Sequence, residues 1–84
     1  MSTYINIKNN TPNPILVRIS NTDATTSVFT TINAGEIDQW SRTGWEVAEI
    51  IRNDTSIQVW AVEAGGSGYS VYPNGVIVEG SVCG

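Results

Sequence analysis

The feature that most constrains the fold of this chain is a series of short runs rich in Val, Ile, Thr and aromatic residues, separated by clusters of Gly, Pro and Asn. No stretch repeats its apolar residues every 3.6 positions, as an amphipathic helix would. In the clearest run, residues 56–63, odd positions from Ile57 to Ala61 share one face and even positions from Gln58 to Val62 share the other. About seven to eight such runs predict an all-β domain, a small antiparallel β-sandwich or barrel.

The order of the runs predicts that strands adjacent in the chain pair with each other, with Greek-key crossovers as the alternative. Residues 4–8 and 15–20 flank a segment rich in Pro and Asn, and we expect them to form a hairpin. A final hairpin is expected over residues 69–79, with Asn74-Gly75 at its tip. In residues 45–52 the alternation breaks near Glu49 and Ile50, which predicts a β-bulge or, alternatively, a short helix.

Length and cysteine content limit how such a domain can be stabilised. The chain has 84 residues, which predicts one domain spanning residues 1–84 with a small core. It has a single cysteine, Cys83, and no histidine, so an intramolecular disulfide is excluded and the usual zinc ligands are missing. Oligomerisation is the remaining common supplement to a small core, and we therefore expect a homodimer.

The charge balance narrows the range of partners. The formal net charge is −4, with only four basic residues, so nucleic acid and anionic membrane surfaces are disfavoured as partners. No apolar run approaches the ~20 residues of a membrane-spanning helix, so membrane insertion is not expected. Residues 1–5 lack the basic and apolar regions of a signal peptide, and the expected location is therefore cytoplasmic.

The residues that usually carry catalysis are scarce, and we expect a protein without enzymatic activity or cofactor. The lack of histidine removes the commonest general base. Cys83 has no positive neighbour in sequence to lower its thiol pKa. Asp38 paired with Glu36 or Glu46 could in principle hydrolyse a glycoside, but that reaction needs a deep cleft. The glycine-rich residues 65–68 lack the lysine of a phosphate-binding loop.

Residues 32–46 concentrate the unusual side chains, including two of the three tryptophans. A strand over residues 36–42 places Asp38, Trp40 and Arg42 on one face and Ile37 on the other. Because acids, an indole and a guanidinium seldom form a core, we predict that this face points outward. Ile37 should then be needed for folding, whereas Asp38 should not.

These residue types suit the recognition of a sugar. A flat aromatic ring can cover the apolar face of a sugar, and planar donors and acceptors can bind its hydroxyls. Gly44 turns the chain so that two further polar and aromatic side chains follow directly. The candidate ligand-binding residues are Asp38, Trp40, Arg42, Trp45 and Glu46. The alternative is structural: Arg42 pairs with Asp38 or Glu36, and both tryptophans belong to the core or to an interface.

Three segments resemble a known family. They are residues 10–20 (NTPNPILVRIS), 29–35 (FTTINAG) and 40–48 (WSRTGWEVA), and the Trp-x-Arg-x-Gly-Trp-Glu pattern is the most specific part. Together they resemble a group of small fungal lectins, with plant relatives, that includes the α-galactosyl-binding fruiting-body lectin of Lyophyllum decastes. The resemblance covers roughly residues 4–63. The chain departs from the family at Ala34-Gly35, where Pro-Gly is frequent, and after Gly65.

The resemblance implies an all-β, cytoplasmic homodimer that binds sugar without catalysis. The expected function is therefore that of a defence or recognition lectin for galactose-type glycans. The alternative is a structural, protein-interaction or membrane-active defence module that binds no sugar. The five candidate residues come from the physical argument alone, and none is carried over from the family.

Overall fold

The computed structural model describes residues 3–23, 25–52 and 57–80, and it is all-β. Alternating short runs form the strands, and the Gly, Pro and Asn clusters form the turns between them. The strands are β1 (Tyr4–Asn9), β2 (Ile15–Ile19), β3 (Thr30–Ile32), β4 (Ile37–Ser41), β5 (Trp45–Ile51), β6 (Ile57–Glu63), β7 (Tyr69–Val71) and β8 (Ile77–Glu79), with a 3-10 turn at Pro73–Gly75. The predicted all-β class and the approximate number of strands are confirmed.

The strands form two four-stranded sheets. The first has the order β4-β1-β7-β8 and the second the order β3-β2-β5-β6. Every pair of neighbours is antiparallel except β1 and β7, which run parallel. The chain therefore crosses repeatedly from one sheet to the other. Among the strands in the described ranges, the consecutive ones that pair are β2–β3, β5–β6 and β7–β8.

The two predicted hairpins have different outcomes. The final one is confirmed: β7 pairs with β8, and Asn74 and Gly75 both have positive φ, at 65° and 80°. The predicted hairpin of β1 with β2 is wrong, because these strands lie in different sheets. Each has one strongly apolar face, including Ile5 on β1 and Val17 on β2, and both of these side chains are fully buried in the shared core.

Strand β5 is continuous, contrary to the expected bulge or helix. Its register with β6 runs without interruption from Trp45 opposite Glu63 to Ile51 opposite Ile57. Ile50 is buried, whereas Ile51 lies on the opposite face and is half-buried. Two adjacent apolar residues are thus accommodated by ordinary alternation, with one residue on each side of the sheet.

The core combines apolar residues from both sheets. The first sheet contributes from β1 and β7, and the second from all four of its strands. Among the described residues its members are Ile5, Ile7, Ile15, Val17, Ile19, Ile32, Ala48, Ile50, Val62, Tyr69 and Val71. No helix in the described ranges is long and apolar enough to cross a membrane.

Candidate functional site

Strand β4 presents its faces in the opposite sense to the prediction. Trp40 is half-buried and packs against the core, and Asp38 shares its side of the strand. Ile37 lies on the other side and is 48 % exposed. The prediction that the Ile37 side of the strand faces the core is therefore wrong, and the expectation that Ile37 is needed for folding loses its structural basis. β4 is the edge strand of its sheet, and the large apolar ring of Trp40 covers the side of the core better than an isoleucine would.

Asp38 lies near the end of the sandwich that holds the turn at residues 33–36. Its Oδ1 accepts a hydrogen bond from the backbone N of Gln39 at 2.9 Å. It lines a shallow depression of about 330 Å³ together with Thr31, Ile32, Glu36 and Ile37. Arg42 follows four residues later along extended chain, which separates their backbones by roughly 13 Å.

Arg42 ties the end of β4 to the end of β2 in the other sheet. Its Nε donates to the Ser20 carbonyl oxygen at 2.9 Å and its Nη2 donates to Asn21 Oδ1 at 2.8 Å. Nη1 donates to the Ser41 carbonyl oxygen at 2.7 Å. Arg42 does not form the alternative ion pair with Asp38 or Glu36. Among the described residues, the ion pair that forms joins Arg18 to Glu49.

Glu46 approaches the same segment from β5. Ser20 Oγ donates to Glu46 Oε1 at 2.7 Å and itself accepts from the Val47 backbone N at 2.8 Å. Thr22 Oγ1 lies 3.5 Å from Glu46 Oε2. Glu46 and Arg42 therefore meet on the segment around Ser20, where their hydrogen bonds join strand ends.

Trp45 is 62 % exposed on the outer face of its sheet. The five predicted residues are thus divided among three places: Asp38 with Trp40 on β4, Arg42 with Glu46 around Ser20, and Trp45 outside. The structure does not bring them together as one platform.

A larger groove lies at the end of the sandwich opposite Arg42. Its volume is about 540 Å³, which falls within the usual range for ligand sites. Three separate segments meet there: the loop before β2, the facing ends of β5 and β6, and the tip of the β7–β8 hairpin. The lining residues are Thr11, Pro12, Asn13, Pro14, Ile15, Arg52, Gln58, Pro73, Asn74 and Gly75.

Hydrogen bonds join the wall formed by Arg52 and Gln58, on the side of the second sheet, to the β7–β8 hairpin of the first sheet. Arg52 donates from Nη1 to the Tyr72 carbonyl oxygen at 2.6 Å, and from Nε and Nη2 to Gln58 Oε1 at 3.0 and 2.8 Å. Gln58 Nε2 donates in turn to the Gly75 carbonyl oxygen at 2.8 Å. The end of β6 and the hairpin tip are therefore fixed relative to each other before any ligand arrives.

The opposite wall is fixed by Asn9, whose side chain is completely buried. Its Nδ2 donates to the carbonyl oxygens of Asn13 and Ile32, at 2.8 and 2.9 Å. Its Oδ1 accepts from Thr11, from the backbone N at 2.9 Å and from Oγ1 at 2.6 Å. The side-chain amides of Asn13 and Asn74 make no hydrogen bond to any described residue, so both are available to a ligand.

Two ionisable groups with shifted pKa values, Tyr69 and Asp23, lie outside the groove. Burial raises the pKa of Tyr69, whose hydroxyl accepts a hydrogen bond from the Glu63 backbone N at 2.8 Å. Hydrogen bonds from the side chain and backbone of Thr25 lower the pKa of Asp23 in an exposed loop. No group of three or more His, Cys, Asp or Glu side chains in the described part of the chain is arranged to hold a metal ion.

Sequence reasoning missed the groove because its residues are spread over three parts of the chain. Pro12, Pro14 and Pro73 carry a partial signal, but prolines beside asparagines are equally typical of ordinary turns. Comparisons with protein-family models, with curated proteins and with solved structures each find no match. Function is therefore argued from the geometry of this chain.

Proposed function

We propose that this protein is a non-catalytic lectin that binds a glycan in the groove between the loop before β2 and the β7–β8 hairpin tip. The observation that carries the proposal is a pair of side-chain amides, those of Asn13 and Asn74, that make no hydrogen bond to a described residue. They line a groove whose walls are held in place by hydrogen bonds. Each amide offers two donors and one acceptor, which suits the alternating donor and acceptor demands of neighbouring hydroxyls.

The apolar part of a sugar also has a counterpart in the groove. Pro12 and Pro73 are exposed there and present rigid rings. A ring that is already fixed loses little conformational freedom on binding, which favours the affinity of a shallow site. The guanidinium of Arg52 also lines the groove and orients Gln58 and the Tyr72 carbonyl there. The preference for galactose-type glycans rests on the family resemblance of residues 4–63 alone.

A glycan array tests this proposal with two variants. Asn13→Ala removes one amide, and Asn74→Gly removes the other while leaving a residue that tolerates the positive φ of this position. We expect each to weaken glycan binding at least about 10-fold, as the loss of hydrogen bonds worth about 1.4 kcal/mol. Asn33→Ala is the matched control, because Asn33 is an exposed turn asparagine outside the groove.

Either of two results would refute the proposal, and a third would separate it from the groove. One is an array on which the protein retains no glycan at high concentration. The other is unchanged binding by the double variant of Asn13 and Asn74 with its fold intact by circular dichroism. If Asn33→Ala weakens binding to the same extent, the effect is not specific to the groove, and the groove is not the binding site.

A further inference from the structure

The outer face of the second sheet exposes an unusual number of apolar side chains. On β5 and β6 the outward positions include Trp45, Ile57 and Val59, which are 62, 56 and 62 % exposed. The strand register places Val47 opposite Ala61 and Ile51 opposite Ile57, and Leu16 of β2 lies beside Ile51. We refer to the surface formed by Leu16, Trp45, Val47, Ile51, Ile57, Val59 and Ala61 as the β5–β6 face.

The size of this face is large for a chain of 84 residues. The exposed parts of its side chains amount to on the order of 500 Å² of apolar surface, near the upper end of the largest patch on a typical monomer. This apolar area alone is more than half of the ~800 Å² that each partner buries in a standard interface. Trp45 supplies the exposed aromatic side chain that commonly dominates binding energy.

The two charges at the centre of this face, Arg18 and Glu49, are paired with each other. Arg18 Nη2 lies 2.8 Å from Glu49 Oε2, and the Arg18 guanidinium also lies 4.5 Å from the centre of the Phe29 ring. Covering the face therefore desolvates no isolated charge at its centre, which removes the main cost of burying it. Asp38 and Glu36, which contribute to the negative net charge, lie at β4 in the other sheet.

We propose that a second copy of this chain covers the β5–β6 face, with the two sheets packed face to face. Flat sheet faces pack well on each other at about 10 Å, with their side chains interdigitated. The added burial supplements a core that is small for a stable domain. A lipid surface fits less well, because Arg18 is the basic residue of this face and it is paired with Glu49.

Molecular mass in solution tests this proposal without any glycan. Sedimentation analysis of the full chain over a concentration series should give twice the mass of the 9.1 kDa chain. Val59→Lys should raise the dimer dissociation constant at least about 100-fold, since each dimer contains the substitution twice and each copy replaces apolar contact with a charge. The monomer tolerates this lysine, because Val59 is exposed and lies opposite Glu49.

Val28→Lys is the matched control, since Val28 is 81 % exposed and lies outside the face. It should remain dimeric. A wild-type chain that stays monomeric at millimolar concentration overturns the proposal, and binding of that monomer to neutral vesicles would assign the face to lipid. A Val59→Lys variant as dimeric as the wild type also overturns it, and points to pairing of sheet edges in place of faces.

Discussion

Replacing Asn9 with alanine should be among the most damaging polar substitutions in this protein. Asn9 ends β1, and its fully buried amide joins three parts of the chain. It holds the loop before β2 through Asn13 and Thr11, and the end of β3 through Ile32. All of the donor and acceptor capacity that the amide presents is used, as a buried polar group requires.

The expected loss follows from these bonds. Four hydrogen bonds at a net 0.5–1.5 kcal/mol each suggest a decrease in unfolding free energy of about 2–6 kcal/mol, and the buried partner groups that alanine leaves unsatisfied favour the upper part of that range. A chain of this length has a total stability of roughly 4–13 kcal/mol. The substitution therefore removes a large share of the stability and should lower the urea midpoint markedly.

Urea denaturation followed by tryptophan fluorescence measures the loss, with Asn33→Ala as the control for removing an exposed asparagine. The control should lie within about 0.5 kcal/mol of the wild type. If Asn9→Ala also changes the unfolding free energy by less than about 1 kcal/mol, with an unchanged slope, the buried network contributes little and the reasoning fails.

Asn9→Asp separates hydrogen bonding from packing, because it keeps the shape of the side chain. One carboxylate oxygen still accepts from Thr11, but the other replaces Nδ2 and faces the carbonyl oxygens of Asn13 and Ile32 at 2.8 and 2.9 Å. Repulsion and burial should raise the pKa of the introduced carboxyl group in the folded state above its pKa in the unfolded chain. The variant should therefore be least stable at neutral pH and recover as the pH falls through that folded-state pKa. A loss that does not change with pH would contradict this account.

Three further predictions concern other parts of the sandwich. Trp40→Ala should lower the unfolding free energy by about 3 kcal/mol, whereas Ile37→Ala should cost less than about 1 kcal/mol, and thermal melts of the two variants rank them directly. Arg42→Ala should cost about 2–3 kcal/mol in urea denaturation, and Arg42→Lys should not rescue it, because a lysine cannot reproduce the fork of bonds to separate acceptors. Burial raises the pKa of Tyr69, so the stability that its protonated hydroxyl provides is complete below about pH 10 and is lost as the pH rises further. Tyr69→Phe should remove that component of alkaline destabilisation, as pH-dependent melts would show.

The sequence was sufficient to predict the strands because each has a clear alternation bounded by turn residues. Asn74-Gly75 was equally informative, since its two positive φ angles are those that a tight hairpin requires. The pairing of β1 was not predictable in the same way. Alternation shows that Ile5 and Ile7 are buried, but it does not show which strand lies beside them, and β1 pairs with the distant β4 and β7.

The inward face of β4 could not be determined from alternation alone. One side carries Ile37 with polar neighbours, and the other carries Trp40 between Asp38 and Arg42. The choice depends on where the strand lies, and at the edge of a sheet Trp40 covers the side of the core while Arg42 reaches the carbonyl oxygens around Ser20. The groove was hidden for a related reason, because its walls meet only through the crossings between sheets.

Strand β6 connects the two proposed surfaces through the alternation of its side chains. Gln58 points to the inner side and holds the groove together through its hydrogen bond to the Gly75 carbonyl oxygen. Ile57 and Val59, on either side of it in sequence, lie on the outer face. Adjacent residues thus serve different surfaces, and a partner covering the face leaves the groove open at the strand ends. A face-to-face dimer would carry two rigid grooves, so that weak single-site affinity becomes useful avidity on a multivalent glycan. Breaking the dimer with Val59→Lys should then abolish agglutination while leaving binding of a monovalent sugar unchanged.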